Sequence, residues 1–383
     1  MRQRKRIGIL FVLILACIWS MGCGKSQSSW RTEDHAISEE LTFENSMDLS
    51  YATEFAVDYY NDGFALVSIS DGSRFLVNTK GEKVPDDLDE DITVLNAPVS
   101  DIYLVASATM DMFCSLDALD HICLSGLTED RWEIPEAKEA MQNGQILYAG
   151  KYNAPDYELI CSKGCALAIE STMIGHVPEV KENLESFGIP VLVDHSSYES
   201  EPLGRTEWVK LYGLLTGKEE AAEKAFEEQR QYVSELSDTN DTGKTVAFLY
   251  ITTAGTVSVR KSSDYVPKMI DIAGGEYIFK NLKGEDNAAS SVNMQMEEFY
   301  AQAKDADYLV YNSTIDGQLH TVEELMEKSS LFENFKAVKN GNVWCIGKNV
   351  YQDTMDTGSI IHDFHEMLTS EDADELTYMY KLR

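Results

Sequence analysis

The chain has 383 residues, of which 44% are hydrophobic and 10% aromatic, enough to build one large or two medium-sized packed domains. Its 65 acidic residues outnumber 32 basic ones, and the resulting net charge of −33 gives a surface that repels nucleic acid and anionic lipid headgroups. The composition therefore argues against a nucleic-acid-binding protein, and we expect a monomer.

The N-terminus has the features of an export signal. Four basic residues precede an apolar run over 7–18, and Gly22-Cys23 leads into the polar tract GKSQSS. A charged start, an apolar run and a small residue before the cut describe a secretory signal, and the run is shorter than the ~20 residues that span a bilayer. Gly22-Cys23 resembles a bacterial lipobox. We therefore predict a signal peptide over 1–22, a lipid on Cys23 that anchors the protein to the outer face of the cell membrane, and a polar tether over 23–50.

Two alternatives to this processing remain open. Cys17 is a competing lipidation site, and a plain cleaved signal without lipid is the other. Five cysteines lie beyond the export segment, and their odd number and irregular spacing do not form a disulfide framework. Cys161 and Cys165 could pair, but we favour buried free thiols, since free cysteine packs as a small hydrophobe.

The segment 51–205 predicts a first α/β lobe. In FALVSISDGSRFLVN, apolar and polar residues alternate on both sides of Asp71-Gly72, which is a strong hairpin signal. From Ser100 onward, short apolar runs such as IYLVAS, QILYAG, CALAIE and IPVLVDH alternate with helical stretches such as APDYELICSKG and VPEVKENLESFG. Strand and helix alternating at this spacing predict a parallel or mixed sheet covered by helices.

A long helical pattern over 206–240 predicts a connection between two lobes. Trp208, Leu211, Tyr212 and Leu215 form an apolar stripe at helical spacing. Thr216 to Glu219 has the form of a capping box that would start a new helix. A helix of ~20 residues spans ~30 Å, the width of a small domain. One helix of that length crossing once from lobe to lobe would be a stiff connector with little hinge motion.

The strand and helix pattern begins again over 241–383. KTVAFLYI, TVSVR, DYLVYN and NVWCIG read as strands, and YVPKMIDIAGG, MEEFYAQAKDA, TVEELMEKSSLFENFKAVKNG and IIHDFHEMLTS read as helical. The predicted fold class is therefore α/β, with two α/β lobes joined by a single long helix and a ligand cleft between the lobes.

Over residues 50 to 370 the chain resembles the lipid-anchored substrate-binding proteins of ABC importers for iron-siderophores, haem and cobalamin. LESFGIPVLVDHSSYESEPLGRTEWVKLYGLLTGKEEAAEKAF resembles the segment where a first-lobe strand gives way to the connecting helix. YVPKMIDIAGGEYIFKN and MEEFYAQAKDADYLVYNS resemble second-lobe elements of that family. The first lobe departs from the family pattern in YNAPDYELICSKGCALAIESTM. The resemblance implies an extracytoplasmic protein that delivers an iron chelate (siderophore or haem) or a corrinoid to an ABC importer permease, with no intrinsic cofactor.

The candidate ligand residues follow from where ligands bind in open α/β sheets, beyond the carboxyl ends of the strands. They carry the hydroxyl, amide, phenol and thioether groups that suit a large amphipathic chelate. They are Met110, Tyr152, Asn153, Thr172, Met173, Ser197, Tyr198, Thr252, Asn312 and Tyr351. Three basic residues near strand ends, Arg205, Arg260 and Lys261, are expected to be structural or surface residues. With few cations in the cleft, we expect a neutral or weakly charged ligand.

Two other functions are weighed against this one. A binding protein for bare zinc or manganese would take His and carboxylate ligands from both lobes, and His121, His176, His195, Glu170 and Asp194 lie near strand ends or loops. The second lobe lacks a convincing histidine at a strand end, and its His362 and His365 lie in the last helix, outside any zinc-binding motif. A secreted hydrolase would need an activated nucleophile, and the chain has neither G-x-S-x-G nor a Walker-type loop. We therefore predict no enzyme activity and no metal site.

Two glutamates are candidates for docking to the permease. In the resembled family, one glutamate on the outer face of each lobe pairs with permease arginines, and Glu158 and Glu297 match those positions in the motifs. Glu298 is a possible substitute for Glu297. Each lies early in a predicted helix, where a carboxylate also stabilises the helix dipole without any partner.

Overall fold

The computed structural model describes residues 30–31, 34–237, 241–283, 290–370, 373 and 375–383. The predicted signal peptide, Cys17 and Cys23 lie outside these residues. Among the helices of the described ranges, none is both long and apolar enough to cross a membrane.

The chain begins with an N-terminal sheet of five strands in sequential order. They are β1 (Phe43–Ser46), β2 (Phe55–Tyr60), β3 (Phe64–Ile69), β4 (Arg74–Asn78) and β5 (Ile92–Asn96). The first four pair antiparallel, and β5 joins β4 in parallel. The turn between β3 and β4 contains Asp71-Gly72, and Gly72 has a φ of 92°, a backbone conformation that glycine adopts without strain. The predicted hairpin is confirmed.

The predicted tether over 23–50 extends too far into the folded protein. Its few apolar residues are used to pack the N-terminal sheet, because Ile37, Leu41 and Leu49 are all buried. Strand β1 also lies within 23–50 and pairs with β2. From residue 34 onward the described chain is therefore part of the fold.

The first α/β region follows, with a five-stranded parallel sheet in the order β12-β11-β6-β7-β8. Its strands are β6 (Ile102–Leu104), β7 (Ile122–Ser125), β8 (Leu147–Tyr148), β9 (Gly150–Lys151), β10 (Ala154–Pro155), β11 (Leu167–Ser171) and β12 (Val191–Asp194), of which β9 and β10 form a separate antiparallel pair. Its helices are α1 (Met110–Ser115), α2 (Pro135–Gln142), α3 (Tyr157–Lys163) and α4 (Pro178–Ser186). The segment 51–205 thus contains most of the N-terminal sheet, the β9–β10 pair and the parallel sheet, where we predicted one sheet.

Three helices connect the two α/β regions: α5 (Pro202–Glu207), α6 (Val209–Thr216) and α7 (Glu219–Ser237). The predicted apolar stripe of α6 is confirmed, since Trp208, Leu211, Tyr212 and Leu215 are all 0% exposed. The predicted boundary after residue 205 falls inside α5. A new helix does start at Glu219, but the predicted capping box is wrong: Gly217 in the left-handed conformation ends α6, and the Thr216 hydroxyl donates back to the Tyr212 carbonyl.

The second α/β region has a seven-stranded mixed sheet. Its strands are β13 (Lys244–Ile251), β14 (Val257–Arg260), β15 (Gly275–Tyr277), β16 (Ser291–Met294), β17 (Tyr308–Tyr311), β18 (Val343–Ile346) and β19 (Met379–Lys381). The order is β16-β14-β13-β17-β18-β19, with β15 also paired to β13. The helices are α8 (Tyr265–Ile272), α9 (Met296–Ala303), α10 (Ser313–Asp316), α11 (Val322–Lys328), α12 (Lys336–Lys339) and α13 (Thr357–Thr369). The predicted α/β class with two sheet-containing regions is confirmed.

One predicted helical stretch of the second region is divided. TVEELMEKSSLFENFKAVKNG forms α11, a 3₁₀ turn over Ser330–Asn334, and α12. The break lies at Ser329, whose extended backbone ends α11 and whose side chain accepts from the Leu331 amide. A capping box does occur here, between Thr321 and Glu324.

Two buried carboxylates join the N-terminal sheet to the connecting helices. Glu207 is 0% exposed and accepts hydrogen bonds from the amides of Ser50, Tyr51 and Ala52 at 2.8–2.9 Å. Glu199 is 1% exposed and accepts from the amides of residues 53 and 54 and from the Trp208 indole. The two carboxylates together satisfy the five consecutive backbone amides of residues 50–54, just before β2, as buried donors require. The N-terminal sheet is therefore an integral part of the protein.

Candidate functional site

Tyr351 and Asn312, two of the predicted ligand residues, contact each other in the second α/β region. The Asn312 amide donates to the Tyr351 hydroxyl at 3.2 Å, and the Arg260 guanidinium donates to the same hydroxyl at 2.6 Å. Asn312 follows β17 and also caps α10 through the Thr314 amide. Arg260 ends β14 and forms an ion pair with Asp264 at 3.3 Å. The polar groups therefore converge at the ends of strands, as ligand sites in such sheets do.

Arg205, from the connecting helix α5, packs against this group. It is only 4% exposed, its guanidinium carbon lies 4.2 Å from the centre of the Tyr265 ring, and its Nε is buried without a hydrogen-bond partner among the described residues. Tyr265 begins α8, directly after Asp264. We call Arg205, Arg260, Asp264, Tyr265 and Tyr351 the arginine–tyrosine cluster.

The structure decides one part of the expectation about the three basic residues, which was that each is structural or on the surface. Arg205 and Lys261 are buried, and the Arg260 side chain is 15% exposed, so none is a surface residue. Burial alone would lower the pKa of Arg260, but the adjacent Tyr351 and Asp264 raise it, so the guanidinium stays charged. Two arginines thus face one carboxylate, Asp264. Arg260 contacts the predicted ligand residue Tyr351, a proximity that could not be read from a single sequence.

The phenol of Tyr351 keeps its proton at neutral pH. Burial raises its pKa, and the positive charge of Arg260 only partly opposes that shift. With Arg260 and Asn312 both donating to its oxygen, the Tyr351 hydroxyl hydrogen is directed elsewhere. The cluster therefore presents hydrogen-bond donors, which is the chemistry that recognises an anionic or oxygen-rich group.

The first α/β region places Ser197 and Tyr198 directly after β12. Both are half-buried in a 3₁₀ turn, and the Tyr198 ring packs edge-on against His195 at 5.4 Å. His195 Nε2 lies 3.7 Å from an Asp71 carboxylate oxygen in the turn between β3 and β4. The N-terminal sheet thus reaches the end of β12, beside two predicted ligand residues. Three residues further on, Glu201 lies 3.7 Å from Lys268 of α8.

The other predicted ligand residues are more dispersed. Thr172 and the exposed Met173 follow β11, and Tyr152 and Asn153 form the turn between β9 and β10. Thr252 shares a hydrogen bond with the Thr256 hydroxyl inside the β13–β14 turn. Met110 is the clear correction: it is 0% exposed in the hydrophobic core, because α1 begins there and turns the side chain inward.

The candidates for a bare metal site do not converge. Within the part of the chain that the structure describes, no group of three or more His, Cys, Asp or Glu side chains is placed to hold a metal ion. His121 contacts the Val99 carbonyl and His176 is exposed. Asp194 accepts from Ser196 and Tyr212. His365 contacts the Ala273 carbonyl, and His362 lies 3.9 Å from Glu366.

Glu170 is buried at the end of β11 with neither carboxylate oxygen bonded to a described residue. Burial raises its pKa to about 8, so the carboxyl is largely protonated at neutral pH. A neutral carboxylic acid is a poor ligand for a metal ion, because metal binding needs the ionised form.

A segment after β18 connects the second α/β region to the first. The Thr354 hydroxyl donates to the Ala108 carbonyl at 2.8 Å, and the Met355 amide donates to the Asp111 carboxylate at 2.6 Å. Gln352 accepts from the Glu133 amide at 2.8 Å. These bonds hold the two regions together beside the arginine–tyrosine cluster, since Tyr351 precedes them directly.

The partly buried carboxyl groups at this contact, Asp111 and Asp353, should make the stability of the protein depend on pH. The pKa of Asp111 is raised to about 7, chiefly by burial; the Met355 amide opposes this shift, and the charges of Asp353 and Asp356 add to it. Burial likewise raises the pKa of Asp353 to about 6. Between pH ~4 and ~7 the folded protein then binds protons that the unfolded chain has released, so stability falls as pH rises through this range. We expect a higher unfolding midpoint at pH 5 than at pH 7.5.

Asp111→Asn should reduce that difference, while the exposed Asp130→Asn should leave it unchanged. Thermal unfolding followed at both pH values checks the prediction. An equal pH response in Asp111→Asn and in the unmodified protein would contradict it.

The docking candidates lie on the surface. Glu158 is exposed in the first turn of α3, where the Asp156 side chain caps the helix. Glu297 and Glu298 are exposed in the first turn of α9. All three carboxylates are therefore accessible to a partner.

A cavity of about 620 Å³ lies elsewhere, on one face of the N-terminal sheet. Arg31, His35, Asp58 and Arg74 are among its lining residues. No predicted ligand residue belongs to the described lining. We therefore assign the candidate site to the arginine–tyrosine cluster, where charged and aromatic groups of the connecting helix α5 and of the second α/β region converge.

Sequence reasoning named Arg205 and Arg260 only as structural or surface residues, and it missed Tyr265 and the pairing of Arg260 with Tyr351. A local signal existed: Arg205 is the one cation in the otherwise uncharged start of a helix, PLGRT, and Arg260 ends a strand four residues before the helix cap Asp264. Neither signal shows that residues 205, 265 and 351 meet.

Comparison with known proteins agrees with this architecture. The model of the periplasmic binding protein family matches residues 125–350, more than half of the chain. An uncharacterized lipoprotein of Methanocaldococcus jannaschii is 26% identical, with the alignment covering 97% of this chain and 94% of the relative.

Solved structures show the same fold at low identity. A periplasmic haem-binding protein of Pseudomonas aeruginosa superposes with a TM-score of 0.57 at 14% identity, covering 74% of this chain and 97% of its own. A protein of the Fe³⁺-hydroxamate transport system of Saccharomonospora viridis gives 0.55 at 18% identity, covering 70% and 93%.

The chain therefore belongs to the periplasmic binding protein family, with the fold of the siderophore-, haem- and vitamin B12-binding proteins that serve ABC transporters. This is a family of binding proteins rather than of enzymes. The family resemblance read from the sequence is confirmed, and the hydrolase alternative is set aside.

Proposed function

We propose that the protein captures an iron chelate, either a siderophore or haem, outside the cytoplasm and delivers it to an ABC importer permease. The ligand lies between the two α/β regions, against the arginine–tyrosine cluster. The observation that carries this proposal is Arg205, a 4% exposed arginine whose Nε has no described partner. Leaving such a donor unsatisfied costs free energy, which a bound acceptor recovers.

The charges of the cluster favour a ligand with an anionic group, such as a carboxylate. The protein carries a net charge of −33, yet two arginines and only one carboxylate are buried together at this point. A guanidinium binds a carboxylate through two parallel hydrogen bonds. Tyr265 and Tyr351 supply flat apolar surface beside those donors. A haem or a carboxylate-bearing siderophore fits this chemistry better than a neutral corrinoid, which is the second candidate.

Helix α7 is proposed as the stiff connection between the two regions. Its 19 residues span ~28 Å at 1.5 Å per residue. Ala222, Phe226 and Val233 are buried along one face, and Gln229 accepts from the Gly358 amide at the start of α13. A helix packed in this way resists bending, so we expect only a small change of orientation between the regions on ligand binding.

Lipidation of Cys23 is proposed to hold the protein at the outer face of the membrane. The related lipoprotein of Methanocaldococcus jannaschii supports this proposal through its name and an alignment that covers 97% of this chain. Because the described fold begins by residue 34, the tether available after Cys23 is much shorter than a 28-residue one. We expect the folded protein to stay close to the bilayer and its permease.

Delivery is tested by reversing the two docking glutamates. Glu158→Lys combined with Glu297→Lys should abolish uptake of the chelate by cells that express the cognate importer. Affinity of the purified protein for the chelate should not change, because both carboxylates are exposed and surface charges at an interface act mainly on the association of the partners.

Glu179→Lys, another exposed first-turn acid on α4, is the matched control and should transport normally. Normal uptake by the double variant would reject the docking assignment. Loss of affinity for the chelate would instead indicate that the two glutamates belong to the ligand site.

A further inference from the structure

Two cysteines of the first α/β region lie in contact. The Cys123 and Cys165 sulfur atoms are 3.9 Å apart. Cys165 is 7% exposed, whereas Cys123 is half-buried and remains reachable from solvent. Neither residue is near the arginine–tyrosine cluster in the chain, and the proposed ligand function does not use them.

Local irregularities bring the two thiols together. Strand β6 pairs with β7 through Ile102–Ile122 and then Tyr103–Leu124, so Cys123 is the extra residue of a bulge. A bulge re-aims the side chain of its extra residue. Cys165 directly follows Gly164, whose left-handed backbone ends α3 and turns the chain toward β11. The pair therefore lies at the amino ends of the strands, opposite the loops that hold Ser197 and Tyr198.

We propose that Cys123 and Cys165 are an oxidation site that forms a disulfide once the chain is exported. Extracytoplasmic compartments allow disulfides to form and persist. The inference goes beyond the proposed function, and it holds whichever ligand the protein carries.

The reaction is a thiol–disulfide exchange with a disulfide oxidant. The Cys123 thiolate attacks the oxidant, forms a mixed disulfide and releases one thiolate. The Cys165 thiol then loses its proton and attacks the Cys123 sulfur, and the second half of the oxidant leaves as a thiol. Two cysteine sulfurs are oxidised, and one disulfide is reduced to two sulfhydryl groups.

The surroundings of the two cysteines determine which thiol attacks the oxidant and which completes the disulfide. A hydrogen bond from Cys165 lowers the pKa of Cys123, and the same bond raises the pKa of the Cys165 thiol. Cys123 is also the more exposed of the two. The accessible sulfur is thus the better nucleophile for the first step, and the buried one completes the bond inside the protein.

This pairing differs from the Cys161–Cys165 pair considered from the sequence. Cys161 is exposed on α3, and the thiol that Cys165 contacts is that of Cys123. A Cys123–Cys165 bond would fasten the C-terminal end of α3 to β7. Since α3 carries Glu158, the bond would also fix the position of that surface carboxylate.

Peptide mapping of the exported protein tests the connectivity. The protein is purified without reductant, free thiols are alkylated, and trypsin is added. Cleavage after Lys163 separates Cys161 from Cys165, while Cys123 lies in the peptide 84–131 together with Cys114. We expect peptide 84–131 linked to peptide 164–181, and the same link in a Cys114→Ser variant.

Oxidised glutathione added to the reduced protein is the second measurement. It should restore the link in the unmodified protein and in Cys161→Ser, but not in Cys123→Ser. Reduction should lower the unfolding midpoint of the unmodified protein and leave that of Cys123→Ser unchanged. A link between peptides 152–163 and 164–181, or full alkylation of both cysteines even after oxidised glutathione, would overturn the proposal.

Discussion

Replacing Arg205 with glutamine should weaken binding of a carboxylate-bearing ferric chelate by about 10- to 100-fold, the loss expected when a hydrogen bond to a charged group is removed. The side chain is buried against Tyr265 and has an unpartnered Nε, and we propose that the ligand is its missing partner. Isothermal titration calorimetry of both proteins measures the change.

Three comparisons separate a ligand contact from a structural role. Arg205→Lys keeps the charge but not the planar fork, and it should recover only part of the affinity. Arg230→Gln removes an exposed arginine that pairs with Glu227 on α7 and should change nothing. Affinity for a neutral corrinoid should be the same in Arg205→Gln and in the unmodified protein. If Arg205→Gln bound the anionic chelate as tightly as the unmodified protein does, Arg205 would have only a structural role.

Replacing Glu207 with alanine should lower the free energy of unfolding by about 3 to 5 kcal/mol, as expected when a buried charged network loses one member. The amides of Ser50, Tyr51 and Ala52 would lose their acceptor, and Lys210 would lose a partner 3.4 Å away. Urea unfolding followed by circular dichroism gives the value.

Glu223→Ala is the control, because Glu223 contacts the same lysine at 3.0 Å but is 64% exposed. A surface pair of this kind contributes about 0 to 1 kcal/mol. If Glu207→Ala were no more destabilised than Glu223→Ala, the N-terminal sheet would not depend on this carboxylate.

The sequence predicted those parts of the fold that depend on local patterns. The hairpin at Asp71-Gly72 and the α8 pattern YVPKMIDI were read correctly, because turn residues and hydrophobic periodicity act over a few positions. The Thr216 capping box failed because the same four letters contain Gly217, which ended one helix before the next began. Two local rules competed there, and the left-handed glycine prevailed.

The parts that could not be predicted depend on contacts between distant residues. Arg205 and Tyr265 are 60 positions apart, and Glu207 binds amides near residue 51. Burial decides what these two charged residues do: Arg205 packs on an aromatic ring, and Glu207 accepts hydrogen bonds from the backbone. Met110 failed for the same reason: its position after a strand was read correctly, but its helix turned the side chain into the core.

Native mass spectrometry of the purified protein, titrated separately with haem, a carboxylate-bearing ferric siderophore, cobalamin and bare Zn²⁺ or Mn²⁺, tests the central claim most directly. The account predicts a one-to-one complex with haem or the ferric siderophore that persists at the lowest ligand concentration, weaker binding of cobalamin, and no specific complex with the bare ions. Binding of Zn²⁺ or Mn²⁺ with neither chelate retained would contradict it.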